Sequence, residues 1–203
     1  MGTPPRDATY QDILDAPEHM VAELIDGELI LSPRPKAPHA FVASMLGAEL
    51  IPPFCRGRNG GPGGWIILDE PEIHFGERVL VPDLAGWRTT RLPHIPMDEQ
   101  IKLAPDWVCE VASKSTEKLD RMRKLPIYAS AGVGHAWIIH PRNRTLDVMR
   151  LIEGRWTLLG VYADANTIRA EPFEQFELEL ATLWSAFPTR ASEAAASYGE
   201  LEY

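Results

Sequence analysis

Two acidic residues stand inside otherwise apolar segments in the middle of the chain, and they limit its possible folds more than any other feature. Asp83 lies in RVLVPDLAGW and Glu110 lies in DWVCEVAS. Both segments have the apolar content of buried strands, with the acids towards the strand ends. An ionised carboxylate is costly to bury unless it is paired or bound to a metal ion. We therefore interpret the two acids as parts of a site.

A strand–strand–helix–strand order surrounds these acids. A helix is predicted over 115–131 with Gly132 as its C-cap, and a strand follows at 135–140. Further upstream, Asp26-Gly27 predicts a two-residue hairpin turn within a hairpin from about 20 to 32. The other predicted elements are a short helix after Thr9, a helix from 37 that stops at Pro52 and Pro53, strands in WIILDEPEIHF and RVLVPDLAGW, a helical turn at MDEQIKL, strands at 145–152 and 155–162 joined by Glu153-Gly154, and an edge strand in FEQFELEL.

The chain length favours one domain, predicted over 1–188, with a flexible tail at 189–203. No apolar run approaches the ~20 residues of a membrane-spanning helix, so we expect a cytoplasmic protein. Cys55 and Cys109 belong to no metal-binding motif, and Cys109 is interpreted as a small buried apolar residue. The glycine-rich stretch GRNGGPGGW lacks the ending of a phosphate-binding loop and is interpreted as a flexible surface loop.

The net charge of −9 disfavours a strongly basic nucleic-acid-binding protein. The charge is uneven, because residues 171–203 hold seven acids and one base, which leaves −3 for the other 170 residues. The helix after Glu110 offers five cations against Glu117 and Asp120. These cations are Lys114, Lys118, Arg121, Arg123 and Lys124. A locally basic site is therefore compatible with the sequence.

Hydrolysis of a phosphodiester needs a divalent cation that polarises the phosphate and activates water, and such cations prefer carboxylate oxygens. Two carboxylates at neighbouring strand ends and one lysine meet this need. Each acid also has a simpler interpretation. Asp83 is explained by a turn after Pro82, and Glu110 by a structural ion pair with a lysine or arginine.

Several segments together carry a resemblance to a known family. In chain order they are AELIDGELILSP with the following His39, VPDLA, CEVASKST with Asp120, Lys124 and Tyr128, and AGVGHAWIIHP. This order resembles the PD-(D/E)XK nuclease superfamily, and within it the bacterial Uma family of restriction-endonuclease-like proteins. The resemblance covers roughly residues 9–185. It implies an α/β fold with a restriction-endonuclease-like mixed β-sheet flanked by helices, an N-terminal hairpin and additional C-terminal antiparallel strands.

The resemblance implies that Asp83 and Glu110 bind Mg²⁺ or Mn²⁺, with the main-chain carbonyl of Val111 as a third ligand. The superfamily's lysine, expected two residues after the second acid, is replaced here by Ala112. The resemblance places Lys124 in that role, in which it stabilises the charge on the phosphate. The alternative for Lys124 is an exposed ion pair with Asp120, four residues earlier.

Further residues have weaker assignments. Glu23 resembles an N-terminal acid that assists catalysis, or is a solvated strand residue. His39 is a hydrogen-bond donor to phosphate or a structural histidine, and the hydroxyls of Ser113 and Ser115 are predicted to cap the helix. The chain departs from the family pattern at three positions that we expect to lie away from the metal. These positions are His135, Ala136 and His140.

The resulting hypothesis is a metal-dependent endonuclease that hydrolyses DNA, acting as a homodimer so that two sites cut a duplex. The first alternative is a catalytically inactive nuclease fold that binds nucleic acid or protein. The second is a small antiparallel β-rich ligand-binding domain whose acids do not converge.

Overall fold

The structure, a computed structural model, describes residues 7–97, 100–113 and 116–188. In these ranges the strands are β1 Met20–Ile25, β2 Glu28–Pro33, β3 Trp65–Asp69, β4 Ile73–Phe75, β5 Arg78–Leu80, β6 Leu84–Arg88, β7 Trp107–Val111, β8 His135–His140, β9 Thr145–Ile152, β10 Arg155–Ala163, β11 Thr167–Ile168 and β12 Leu178–Glu179. The helices are α1 Tyr10–Leu14, α2 Ala37–Leu50, α3 Glu117–Leu119 and α4 Leu125–Ser130, with π-helical turns at Ile51–Cys55 and Asp120–Lys124 and a 3-10 helix at Leu180–Trp184. None of the described helices is long and apolar enough to cross a membrane.

A six-stranded mixed sheet forms the centre of the fold, in the order β10-β9-β8-β7-β6-β3. Only β7 and β8 pair in parallel, and the other neighbours are antiparallel. A parallel pair needs a crossover connection, which the helical segment from α3 to α4 provides. The predicted mixed α/β sheet with additional C-terminal antiparallel strands is therefore confirmed.

A second sheet has the order β2-β1-β5-β4 and contains the predicted N-terminal hairpin. Asp26 and Gly27 both have positive φ, 52° and 78°, as a two-residue turn of this type requires. The prediction of single strands in WIILDEPEIHF and RVLVPDLAGW is wrong, because each segment crosses from one sheet to the other. The crossings contain Pro71 and Pro82, which lack the N–H that continued pairing needs. Asp83 directly follows the second crossing.

Side chains on the two faces of the six-stranded sheet fill two separate apolar cores. Trp107 and Cys109 of β7 join the core under α2, whereas Val108 joins the core under α4. Cys109 is fully buried, as predicted. Because side chains alternate along a strand, Glu110 faces the same side as Val108, towards the helical segment from α3 to α4.

The helical segment that begins with α3 passes through the π-helical turn Asp120–Lys124 and continues as α4. Pro126 has no N–H to donate to a preceding turn, and π-type turns are often found at functional sites. Gly132 ends the segment with φ of 77°, and Val133 N–H donates to the Tyr128 carbonyl. The predicted helix and its C-cap are confirmed, although Ser115 lies outside the described residues.

Three other predictions need correction. The helix from Ala37 does not stop at Pro52 and Pro53, because the π-helical turn contains both. In the MDEQIKL segment, residues 98 and 99 lie outside the described ranges, and Ile101 forms a β-bridge with Ile73 instead of a helical turn. FEQFELEL forms only the two residues of β12 as strand. Its Phe173 is drawn into the core against Trp65 and Trp107, at ring-centroid distances of 4.9 Å each.

The remaining element predictions are confirmed. The capping box of Thr9 and Asp12 opens α1, and Glu153-Gly154 joins β9 to β10 in a tight turn. The glycine-rich stretch forms a loop as predicted, with Gly63 N–H donating to the Pro53 carbonyl at 2.9 Å, and its flexibility stays a prediction. The predicted tail at 189–203 lies outside the described residues.

Candidate active site

Glu110 lies on β7, and the face it shares with Val108 packs against the helical segment. Asp120, Lys124 and Tyr128 recur every fourth residue along that segment and therefore lie on one helix face. The two faces meet at buried polar groups. The residues Glu23, Glu110, Asp120 and Lys124 are each only 3% exposed.

Both carboxylate oxygens of Glu110 accept hydrogen bonds from this helix face. Tyr128 Oη donates to Oε1 at 2.7 Å, and Lys124 Nζ donates to Oε2 at 3.0 Å and lies 2.9 Å from Oε1. The ion-pair interpretation of Glu110 is therefore correct, and its partner is the lysine assigned to catalysis. The ion pair of Glu110 and the catalytic assignment of Lys124 therefore concern the same contact between these two side chains.

Lys124 is the centre of the cluster. Its Nζ donates to the Val81 carbonyl at 3.1 Å, and lies 3.1 Å from Glu23 Oε1 and 3.9 Å from Asp120 Oδ1. The alternative of an exposed pair with Asp120 is wrong, because both residues are buried. To contact a phosphate, Lys124 would have to give up one of these hydrogen bonds or ion pairs.

Glu23 enters the cluster from β1 of the second sheet. Its Oε1 accepts the Val81 N–H at 2.8 Å, so Glu23 and Lys124 together hold both polar main-chain groups of Val81. The alternative of a solvated strand residue is wrong for Glu23. These bonds fix the strand crossing two residues before Asp83.

Asp83 is held from two sides. Its Oδ1 lies 2.7 Å from His39 Nε2, and its Oδ2 accepts the Val111 N–H at 2.6 Å. Asp83 does follow Pro82 at a bend, yet its carboxylate contacts the residue next to Glu110. The two acids therefore lie at adjacent strand ends and line the same pocket, and the mixed α/β fold contradicts the alternative of a small antiparallel β-rich domain. The Val111 carbonyl as a metal ligand stays a prediction.

The buried cluster carries more negative than positive charge. Glu23, Glu110 and Asp120 with Lys124 sum to −2 when all four ionise. Burial raises the pKa of Glu110 well above its ordinary value, with Lys124 opposing. Burial would lower the pKa of Lys124, but the surrounding acids outweigh it and keep the ammonium charged.

His39 contacts Asp83 and affects the net charge beside that carboxylate. Burial lowers the pKa of His39, whereas the hydrogen bond and charge of Asp83 raise it, and the net direction is upward. His39 Nε2 lies 2.7 Å from Asp83 Oδ1, so a proton on His39 offsets the charge of that carboxylate. The inner cluster holds three acids against one lysine, and burial raises the pKa of Glu110 and of Asp120.

A pocket of about 500 Å³ opens onto these groups. Its lining includes Glu23, Asp83, Glu110 and Lys124 together with Ala112. Ala112 follows Glu110 by two residues and therefore lies on the same face of the strand, and Lys124 reaches Glu110 from the helical segment. His140 also lines the pocket, which corrects the expectation that it lies away from the site.

Among the described cations of the helical segment, only Lys118 is exposed, and the other three form ion pairs within the fold. Arg121 Nη2 donates to Asp147 Oδ2 at 2.6 Å, and Arg123 Nη1 donates to Glu28 Oε2 at 2.6 Å. Lys124 is used within the acid cluster. Lys114 lies outside the described residues. The helix therefore braces the two sheets with ion pairs and presents little free positive charge.

The two remaining assignments concern the helix cap and the strand after the helix. Ser113 Oγ accepts the Thr116 N–H at 3.2 Å and its carbonyl accepts the Glu117 N–H, so Ser113 caps the segment as predicted. His135 lies 3.1 Å from Glu171 on the far side of the sheet, and Ala136 is buried in the core under α4.

Asp120 provides a test of the cluster's electrostatics. Burial raises its pKa from 3.8 to about 6, against the opposing charge of Lys124. Between these pH values the folded state binds more protons than the unfolded state, so the free energy of unfolding falls as pH rises through this window. We expect Asp120→Asn to raise the free energy of unfolding by about 1–3 kcal/mol above about pH 6 and to have little effect near pH 4. Urea denaturation of the metal-free protein measures this, and an equal effect at both pH values would contradict it.

A known family model matches most of this chain. The family model Uma2, described as "Putative restriction endonuclease", matches residues 7–182. The chain belongs to the Uma2 family. The match spans both sheets, the crossings and the helical segment, and so includes every residue of the acid cluster. No curated protein matches the chain.

A solved structure supports the Uma2 fold. It is the crystal structure of a putative nuclease belonging to DUF820 from Anabaena variabilis ATCC 29413. The TM-score is 0.69 at 22% sequence identity, and the match covers 88% of this chain and 98% of that chain. At this identity the likeness shows a shared nuclease-like fold and carries no statement about activity.

For this Uma2 protein, sequence reasoning missed the part played by Asp120 and Tyr128. Asp120 was considered only as the partner of Lys124 in an exposed ion pair, and Tyr128 was given no role. The signal was their spacing of four residues on either side of Lys124, which places all three on one helix face. Among the described residues, no group of three or more histidine, cysteine, aspartate or glutamate side chains is arranged to hold a metal ion.

Proposed function

We propose that this protein is a metal-dependent endonuclease that hydrolyses phosphodiester bonds of DNA. The observation that carries the proposal is the cluster of Asp83, Glu110 and Lys124 in one pocket of a nuclease-like fold. The Uma2 family and the nuclease-like fold support the class of activity. Mg²⁺ or Mn²⁺ is the cofactor proposed here.

The donor groups are of the chemical type that a divalent cation binds. Hard cations take carboxylate and carbonyl oxygens, and the inner cluster holds three acids against one lysine. Asp83 and Glu110 would hold the ion, with the Val111 carbonyl as a third ligand. The ion supplies Lewis acidity, which polarises the phosphate and lowers the pKa of bound water.

The chain's own residues have separable tasks in this proposal. Tyr128 and Lys124 orient the Glu110 carboxylate, and Val111 N–H with His39 orients Asp83. Lys124 supplies positive charge near the phosphate as negative charge develops there, which in a pocket of low polarity is a large effect. Glu23 assists by holding Lys124 and the strand crossing. Tyr128, His39 and Glu23 are therefore positioning residues in this proposal. Lys124 also acts directly on the phosphate.

A homodimer belongs to the same proposal. One site of this kind cuts one strand, so cleavage of a duplex calls for two sites. Nicking of supercoiled plasmid DNA by the wild-type protein with Mg²⁺ or Mn²⁺ tests the activity, and sedimentation tests the dimer. An intact plasmid with every metal tried would contradict the proposal.

The alternative of a catalytically inactive nuclease fold has a specific observation in its favour. Both oxygens of Glu110 are occupied by protein donors, and Ala112 replaces the usual lysine. Metal binding separates the two functions. We expect calorimetric titration with Mn²⁺ to show binding to the wild type that Asp83→Ala and Glu110→Gln each weaken by about 10-fold or more. Equal heats from all three proteins would favour the inactive fold.

A further inference from the structure

Two cations that line the pocket have no side-chain partner among the described residues. Lys36 directly precedes α2 and Arg142 follows β8, and both side chains are exposed. Within residues 7–97, 100–113 and 116–188, neither forms an ion pair or a side-chain hydrogen bond. By contrast, the neighbouring Arg34 donates to Glu70 at 2.9 Å. The fold therefore leaves the charges of Lys36 and Arg142 available to a ligand.

Because the pocket is lined by acids, the positive charges of Lys36 and Arg142 are important for the binding of an anionic ligand. A polyanion that approaches a protein of net charge −9 meets the carboxylates of the pocket wall, and like charges repel it. Salt screens distant charges beyond ~8–10 Å, so only cations near the pocket can offset this repulsion. Lys124 is buried and bound to carboxylates, and Arg34 is already paired. Lys36 and Arg142 are the cations of the described lining that remain.

We propose that Lys36 and Arg142 bind phosphates of the nucleic-acid backbone next to the phosphate that is cut. This rests on the proposed function. The two residues come from different elements, and both reach the same pocket because α2 and the end of β8 flank the strand ends of Asp83 and Glu110. Phosphate contacts fix position and carry no base sequence, so the pair supplies affinity and register. They are positioning residues and leave the bond-breaking step to the acid cluster.

The test is direct binding of fluorescein-labelled DNA, followed by anisotropy, with the whole 203-residue chain. Duplex and single-stranded DNA of one sequence are titrated in chelator and in Ca²⁺, and a gel confirms that the DNA stays intact. The variants are Lys36→Ala and Arg142→Ala. Their matched controls are Lys102→Ala and Arg155→Ala, which remove exposed cations that do not line this pocket.

We expect each pocket variant to weaken binding about 5- to 10-fold at about 0.1 M salt and to lower the salt slope by about 0.9 for duplex or about 0.7 for a single strand. The controls should bind as the wild type does. In nicking assays the DNA concentration for half-maximal rate should rise while the saturated rate stays unchanged.

Three results would overturn the inference. If the pocket variants bind as tightly as wild type, or no more weakly than the controls, the backbone contacts are refuted while the nuclease proposal stands. If the saturated rate falls and binding does not, the two residues act in catalysis. If wild type binds no DNA in either buffer and does not nick plasmid, both proposals fail together.

Discussion

Asp83→Asn and Glu110→Gln should each lower metal-dependent nicking of supercoiled plasmid by about 10²–10³-fold or more. Both changes remove a charge and preserve the side-chain shape. The asparagine oxygen can still accept the Val111 N–H, and the glutamine oxygen can still accept from Tyr128 Oη. The loss of activity would then reflect the missing negative charge towards the metal rather than a collapsed pocket. Initial nicking rates at several Mn²⁺ concentrations measure it.

The matched control is Asp15→Asn, which neutralises an exposed aspartate that does not line the pocket. It should nick at the wild-type rate. Unfolding midpoints of all four proteins show whether the variants are folded at the assay temperature. Wild-type rates from either site variant, with normal folding, would refute the assignment of that acid to catalysis.

The sequence allowed much of the fold to be predicted because several local signals agree with the final structure. Asp26-Gly27 can form a tight turn wherever the hairpin packs, and Gly132 ends a helix by the same kind of local preference. The strands β8 to β10 follow one another along the chain and pair with their neighbours. Such elements depend on few long-range contacts.

Long-range contacts explain the failures. The strand propensity of FEQFELEL is outweighed by packing in the aromatic core, since Phe173 packs beside Trp65 and Trp107. A single strand was predicted where Pro82 lets the chain move between two sheets. Whether an apolar segment pairs in one sheet or two depends on partners far away in the sequence, and periodicity contains no information about them.

The candidate site shows the same division. Burial of charge was reason enough to select Asp83 and Glu110, because that cost is local to the strand. The burial of Lys124 and its partners could not be predicted from the local sequence in the same way. An acid four residues earlier suggested an exposed pair, whereas the true partners Glu23 and Glu110 come from two other strands. The assignment to the pocket came only from the family resemblance.

Lys124→Met should destabilise the protein by about 3–5 kcal/mol at about pH 8. The lysine is buried and holds Glu23, Glu110 and the Val81 carbonyl, so its removal leaves buried carboxylates without a cation. Methionine keeps the apolar stem of the side chain, so the loss reports charge and hydrogen bonds rather than volume. Urea denaturation measures it, with Lys118→Met as the matched control. Lys118 is exposed on the same helical segment, and its replacement should change stability by at most about 0.5 kcal/mol.

The pH dependence of stability and a double variant test whether the destabilisation by Lys124→Met is electrostatic. Without Lys124 the folded-state pKa of Glu110 and of Asp120 rises further above its unfolded value, because the opposing charge is gone. The folded variant then binds more protons than its unfolded chain over a wider range, so its deficit relative to wild type should shrink as pH falls towards about 5. Adding Glu110→Gln removes one uncompensated charge and should restore part of the stability at about pH 8. A deficit that is independent of pH, or a double variant less stable than Lys124→Met alone, would show that packing and not charge makes Lys124 necessary.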